Sequence, residues 1–164
     1  MTVVADTSAL ISLGCSTDPP LVDVLRSEYD LWVPEIVVAE LEDLAAYDDE
    51  HGRAARRVLE GRDDFGVERV SLDAEFPLDD GENAAVELAN DRGASMLLCD
   101  EFNQLGLIHA SLDDVQQVTT PKLLVVFEAK GLLSGSEVAS SLDEISELRS
   151  WDGNGYVERV RDRL

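Results

Sequence analysis

The chain has 164 residues, 45% of them hydrophobic, enough for one domain spanning 1–164 with a sizeable core and too few for two ordinary ones. Against 13 Lys and Arg stand 35 Asp and Glu, a formal net charge of −22 that is spread through periodic segments rather than gathered in a disordered tail. No run reaches the ~18 consecutive apolar residues of a membrane span, MTVVADTSAL lacks the basic stretch of a secretory signal, and Cys15 and Cys99 form no C-x-x-C pair or disulfide framework. The expected setting is therefore cytoplasmic, without membrane attachment. So acidic a surface suits a halophilic, salt-saturated cytoplasm, because the Debye length falls to ~3 Å at 1 M and self-repulsion is screened. It also removes any overall basic character as an argument for nucleic-acid binding.

In chain order, residues 2–5 (TVVA) read as a short buried strand, and Thr7–Leu13 as a helix behind a Thr/Ser cap. LVDVLRSEYD has helical spacing, LWV at 31–33 is a second strand, and Pro34 opens a helix in the first-turn position, with Ile36, Val37, Leu41 and Leu44 along it. A helix near 50–61 ends at Gly61; VERVSL at 67–72 alternates as a strand; PLDDGE is a turn into the helix NAAVELANDRG, closed by Gly93. SMLLC at 95–99 is a fully buried strand, 101–110 a helix, VQQV at 115–118 a last strand, and 121–130 a helix stopped by Gly131. Two more helical patterns, VASSLDEISELR and GYVERVRDRL, make a helical extension over 131–164. Strands alternating with helices predict a doubly wound α/β fold: a mainly parallel five-stranded sheet with helices on both faces and this C-terminal extension.

Ligands in such sheets bind beyond the carboxyl ends of the strands. Asp6 and Asp100 fall there, while Glu40 and Glu82 lie on helices able to lean over the same rim. An isolated carboxylate gains nothing from leaving water at a strand end. Several that converge repel one another unless a hard cation holds them, and oxygen-only ligands suit Mg²⁺ or Mn²⁺. Such ions supply a hydroxide near neutral pH and counter-charge for phosphoryl oxygens, the needs of phosphodiester hydrolysis. No Ser-His-Asp arrangement can be built, which favours metal-assisted chemistry.

The opening V-x-D-T-S-A-L-I, the P-x-x-V-x-x-E-L segment, the D-x-G-E-x-A-A-x-x-L-A helix and the L-L-x-D-[DE] strand end, in this order, resemble the PIN-domain family of VapC-type toxin ribonucleases and related prokaryotic nucleases. The Gly-Glu helix motif and LLVVFEAKGLLS followed by two helices resemble one subgroup of predicted nucleases over nearly the whole chain. The resemblance implies a metal-dependent endoribonuclease using Mg²⁺ or Mn²⁺ and acting on RNA. Asp6, Glu40 and Glu82 would be its first three acids and the Asp100-Glu101 pair the fourth, either residue able to take that place with strand-end position favouring Asp100. Thr7 or Ser8 would supply a hydroxyl for a water or phosphate oxygen, and Thr120 stands where the subgroup prefers Gly-Thr. The resemblance also implies a toxin held by an antitoxin partner, and homodimers, which an exposed apolar surface on the C-terminal helices would suit.

Plainer roles compete for each residue. Asp6 could simply cap the first helix, and Glu40 shares an acidic face with Glu42. Glu82 could serve only the helix dipole while Asp79 or Asp80 matters. His51, Arg53, Arg56, Arg57 and Arg62 form a basic cluster that reads first as a solvated face balancing nearby acids and second, through Arg56 and Arg57, as phosphate contacts to RNA. A PIN-like RNA-binding or scaffolding module without turnover is the rival to the enzyme. A phosphoacceptor receiver domain with Lys122 near the last strand is a weaker rival, lacking paired acids beside the first strand.

Overall fold

The computed structural model describes residues 1–72, 75 and 78–163. Its elements are β1 (Thr2–Ala5), α1 (Thr7–Gly14), α2 (Leu21–Glu28), β2 (Asp30–Pro34), α3 (Glu35–Ala45), α4 (Glu50–Glu60), β3 (Gly66–Glu68), α5 (Asp80–Arg92), β4 (Met96–Leu98), α6 (Leu105–Ser111), β5 (Gln116–Val118), α7 (Thr120–Ala129), α8 (Gly135–Leu148) and α9 (Gly155–Arg161). The strands form one sheet in the order β3-β2-β1-β4-β5, every pairing parallel. From β1 the chain runs outward through β2 to β3 and then crosses back to β4 on the other side of β1. The strand order therefore reverses between β1 and β4, the position at which an open α/β sheet leaves a crevice.

Alternation along the strands divides the core in two. Val3, Ala5, Leu31, Val33, Met96 and Leu98 point to one face, where they pack with apolar residues of α1, α2, α3, α4, α7, α8 and α9. Val4, Leu97 and Cys99 point to the other, against Ala85, Leu88 and Ala89 of α5 and Ile108 of α6. Because both faces are covered, the central strands β1 and β4 read as apolar runs rather than alternating ones. The C-terminal helices belong to the first layer: Val138, Leu142, Ile145, Trp151 and Val157 join the cluster of Leu123, Leu124 and Phe127. The apolar surface expected on them is thus spent inside the fold. Among the described residues the large exposed hydrophobics are Met1, Tyr47, Val67, Leu72 and Leu107, none of them on α8 or α9.

Several boundaries differ from the sequence reading for local reasons. Pro34 closes β2 and caps α3 instead of opening it, since its extended ψ of 145° is a strand value. The strand expected over 67–72 stops at Glu68, whose partner in the ladder is Pro34, the last residue of β2; beyond it there is no neighbour to pair with. The helix after the Gly-Glu motif begins three residues early, at Asp80, because Asp79 accepts the Glu82 amide at 2.8 Å as its cap. Pro77, in the expected PLDDGE turn, lies outside the described residues. The helix expected from 101 starts at Leu105, which leaves Glu101 on a loop. α1 is capped by Asp6 and not by a hydroxyl residue, and α8 starts earlier than its apolar pattern, at a capping box made by Ser134 and Glu137.

α1 and α4 approach closely through Gly14, Ala54 and Ala55. A Cβ on Gly14 would lie 2.6 Å from the Ala54 carbonyl oxygen, backbone that cannot step aside. Gly14→Ala is therefore expected to destabilise the protein by about 1–3 kcal/mol, the usual range for overpacking, read as a lower urea midpoint with an unchanged slope; a midpoint equal to that of the parent would show that the helices can separate freely.

Candidate active site

The site is assembled at the β1/β4 switch point. The Asp6 amide donates to the Leu98 carbonyl at 3.1 Å, extending the ladder one step past β1, and the chain then turns into α1. Asp6 Oδ1 accepts the Ala9 amide at 2.9 Å and the Ser8 hydroxyl at 2.7 Å. Ser8 Oγ in turn accepts the Asp100 amide at 3.0 Å, so one hydroxyl ties together the ends of two neighbouring strands. Asp6 is both a helix cap and a wall of the cavity above it; the two roles weighed from the sequence coexist.

That cavity, of about 270 Å³, is lined by Asp6, Thr7, Ser8, Glu40, Asp79, Glu82 and Glu101, with Ile11, Leu44 and Gly81 between them and His51 and Arg149 as its basic residues. Glu82 comes from the first turn of α5. Glu40 comes from the middle of α3 and accepts the Thr7 hydroxyl on Oε2 at 3.0 Å. The Gly-Glu pair has a steric reason: a Cβ on Gly81 would fall 2.2 Å from Glu40 Oε1, so only glycine lets α3 present this carboxylate beside α5.

Burial sets the electrostatics. Asp6 is raised to about 7, first by burial and further by the Asp100 charge, against hydrogen bonds from Cys99, Ala9 and Ser8. Glu82 is raised to about 8, again first by burial, then by Asp79, Glu101 and Asp6. Glu40 and Asp100 are also raised by burial, Glu40 relieved in part by Thr7 and Asp100 by Thr120, Ser12 and Arg149. The buried Cys99 thiol is pushed up by desolvation and by Asp6, which keeps it neutral.

Some expected residues lie elsewhere. Asp100 sits behind the cavity wall, both oxygens engaged by Thr120: the amide at 2.7 Å and the hydroxyl at 2.6 Å. Thr120 is itself buried, so the structure gives it Asp100 to hold and no open face for substrate. Between the two candidates for the fourth acid, Glu101 is the one that lines the cavity. Arg56 and Arg57 do not reach it. Arg56 donates to the Ala45 and Tyr47 carbonyls at 2.7 and 3.1 Å and Arg57 to the Gly14 carbonyl at 2.7 Å, where their charges meet the C-terminal ends of α3 and α1. Arg53 pairs with Asp48 and Glu50, and Arg62 with Glu42. The balanced-face reading of this cluster describes Arg53 and Arg62, while Arg56 and Arg57 hold helix ends instead; the cavity draws only His51 from it. Asp79, weighed from the sequence as a rival to Glu82, lines the cavity together with it, and Arg149 is the charged cavity residue that the sequence did not single out. Asp79 had a signal, as the cap three residues before Glu82; Arg149 had none, since only the packing of α8 brings it there.

The donor set around the cavity is oxygen, the kind that a hard divalent cation takes. Among the described residues, however, no group of three or more carboxylate, imidazole or thiol side chains already stands close enough to hold an ion. The hydrogen bonds from Ser8, Thr7 and Thr120 hold three of the acids in place while their charges repel. Asp6, Glu82 and Glu101 fit a metal by chemistry and need side-chain adjustment to grip it.

Two outcomes test this electrostatic account. Unfolded Asp and Glu ionise near ~4, whereas folded Asp6 and Glu82 ionise at about 7 and about 8, so between these values the folded chain holds protons that the unfolded chain releases. Metal-free stability should therefore fall as pH rises from about 4 to about 8. Melting curves at high salt, where surface repulsion is screened, are expected to show this loss, and Asp6→Asn to show less of it; equal slopes in both proteins would remove Asp6 as the source. Gly81→Ala, by contrast, should leave the fold intact, since Glu40 can swing away, and should weaken Mn²⁺ binding in a calorimetric titration. Unaltered binding would show that Glu40 does not need its present place.

A family model described as a PIN domain matches residues 2–164. No curated protein matches the chain. The switch-point cavity, the parallel sheet and a match over almost the entire sequence lead to one conclusion: the chain belongs to the PIN-domain family.

Proposed function

We propose that this protein is a Mg²⁺- or Mn²⁺-dependent ribonuclease that hydrolyses RNA phosphodiester bonds. PIN domains are typically nucleases, and the reading is carried by one observation: buried Asp6 and Glu82 and half-buried Glu40 and Glu101, from the end of β1, α5, α3 and the loop after β4, line a single cavity, with Asp6 raised to about 7 and Glu82 to about 8. Against its five acids the described lining of the cavity sets two basic residues, His51 and Arg149. Asp6, Glu82 and Glu101 would hold the ion, with Asp100 fixed behind them by Thr120. A bound divalent ion supplies a hydroxide near neutral pH and counter-charge for the phosphoryl oxygens.

The chain's own residues position and exclude. Ser8 keeps the strand ends in register through Asp6 and Asp100, and Thr7 orients Glu40 by donating to Oε2. Glu40, raised by burial, is the acid best placed to take a proton from a water at Oε1. Ile11 and Leu44 make the cavity's apolar wall and limit water around the acids. A toxin role restrained by an antitoxin partner, a homodimeric assembly and a salt-rich cytoplasm belong to the same proposal.

A second reading has an observation in its favour. With no group of three ligands already drawn together among the described residues, the site could bind RNA without turning it over. Incubation of single-stranded RNA with the protein at high salt separates the two. Cleavage is expected with Mn²⁺, absent with chelator, and reduced roughly 10²-fold or more by Asp6→Asn or Glu82→Gln, the scale on which electrostatic groups act at such sites. Activity that survives Asp6→Asn, or RNA binding with no Mn²⁺-dependent cleavage, would remove the enzyme reading.

A further inference from the structure

One cation at the cavity has nothing to pair with. Arg149 lines it, yet makes no side-chain hydrogen bond or ion pair with any described residue, and its guanidinium Nε is buried without a partner. Five arginines of the surface differ: Arg26, Arg53, Arg62, Arg92 and Arg161 are each paired with a carboxylate. Arg149 has five acids around the same cavity, Asp6, Glu40, Asp79, Glu82 and Glu101, and forms an ion pair with none of them.

Its place is built. Arg149 ends α8, its amide donating to the Ile145 carbonyl at 2.8 Å, and Ser150 follows with φ 57°, a left-handed turn that sends Trp151 back so that its amide donates to the Ser146 carbonyl at 2.9 Å. Trp151 is buried and meets Phe102 edge-on with ring centroids 5.4 Å apart; Tyr156 lies 5.6 Å away on the same ring. Phe102 is the residue next to Glu101, so this aromatic cluster fastens the end of α8 to the loop that carries the acids. The electrostatic influence of Arg149 reaches Asp100, whose carboxyl it lowers.

We propose that Arg149 binds a phosphate of the RNA strand that enters the acid-lined cavity, which makes the C-terminal helical extension part of the substrate site. The inference rests on the ribonuclease reading and deepens it. A divalent ion can neutralise the acids, but the strand still brings a phosphate whose oxygens need donors, and a guanidinium offers a planar fork matched to two of them. An arginine placed merely to balance carboxylates would be expected in contact with one. This one keeps its donors unused beside the cavity.

The test measures binding and turnover separately on the full chain at high salt. Anisotropy of a labelled single-stranded RNA in Ca²⁺ gives affinity, Mn²⁺ titration gives metal binding, and cleavage in Mn²⁺ gives kcat and KM. Arg149→Ala is expected to weaken RNA binding about tenfold or more, the loss of a charge-assisted contact, with Mn²⁺ affinity equal or higher and a normal melting curve. Arg149→Lys should recover part of the affinity, because it keeps the charge and loses the fork. Arg149→Gln retains most of the stem and decides the matter if the alanine variant folds poorly. RNA affinity and KM unchanged in both Arg149→Ala and Arg149→Gln, in a wild type that cleaves RNA, would overturn the role of Arg149 alone. A wild type that neither binds nor cuts RNA would overturn the ribonuclease reading, and this inference with it.

Discussion

A parallel sheet brings the carboxyl ends of all its strands to one edge, and here that edge is acidic. Asp6 and Asp100 leave neighbouring strands that part company at the switch point, and each carries a carboxylate out of water. Two buried negative charges on adjacent strands are costly in any fold. The structure distributes that cost through a few hydroxyl and amide donors: Ser8 between the two strand ends, Ala9 on Asp6, Thr120 on Asp100. These bonds fix positions without cancelling charge, which is why the pKa values still rise. The rest of the site is arranged around an edge that remains short of positive charge.

The helices answer to that edge in different ways. α5 begins at Asp79 so that Glu82 occupies its first turn, and Gly81 leaves room for Glu40 of α3. Acids at a helix N-terminus gain from the dipole, but Asp79, Glu82 and Glu101 so close together raise one another. The surface arginines meanwhile serve structure. Arg57 and Arg56 end α1 and α3, and others pair with acids on the exterior. A chain with a net charge of −22 commits seven of its eleven arginines to such contacts, and Arg149 at the cavity pairs with no described residue. Hydrophobic packing does the placing: Trp151 and Tyr156 on Phe102 join the last helices to the loop that follows β4.

The strand-end acids were legible because both follow short apolar runs, and Glu82 because it stands in a recognisable helix start. The same local logic misjudged ends that depend on neighbours. β3 was read too long because its own alternation continues past Glu68, whereas the ladder stops where Pro34 ends β2. Thr120 was read as facing substrate, and for Arg56 and Arg57 phosphate contact stood as the second reading, because residue type alone does not say which donors are already taken. Asp100 was preferred over Glu101 for its strand-end position, and that position is what buries it against Thr120.

By itself the sequence determined the α/β class, the parallel sense of the sheet, the core-facing runs and the acids at the strand ends, since these follow from periodicity and capping within a dozen residues. Only the tertiary structure decided which acids share a cavity, which hydrogen bonds already occupy Asp100, and that Arg149, 143 positions after Asp6, lines the same cavity. Such meetings depend on the packing of whole helices across the sheet, and no local pattern encodes the direction in which a side chain will find its neighbours.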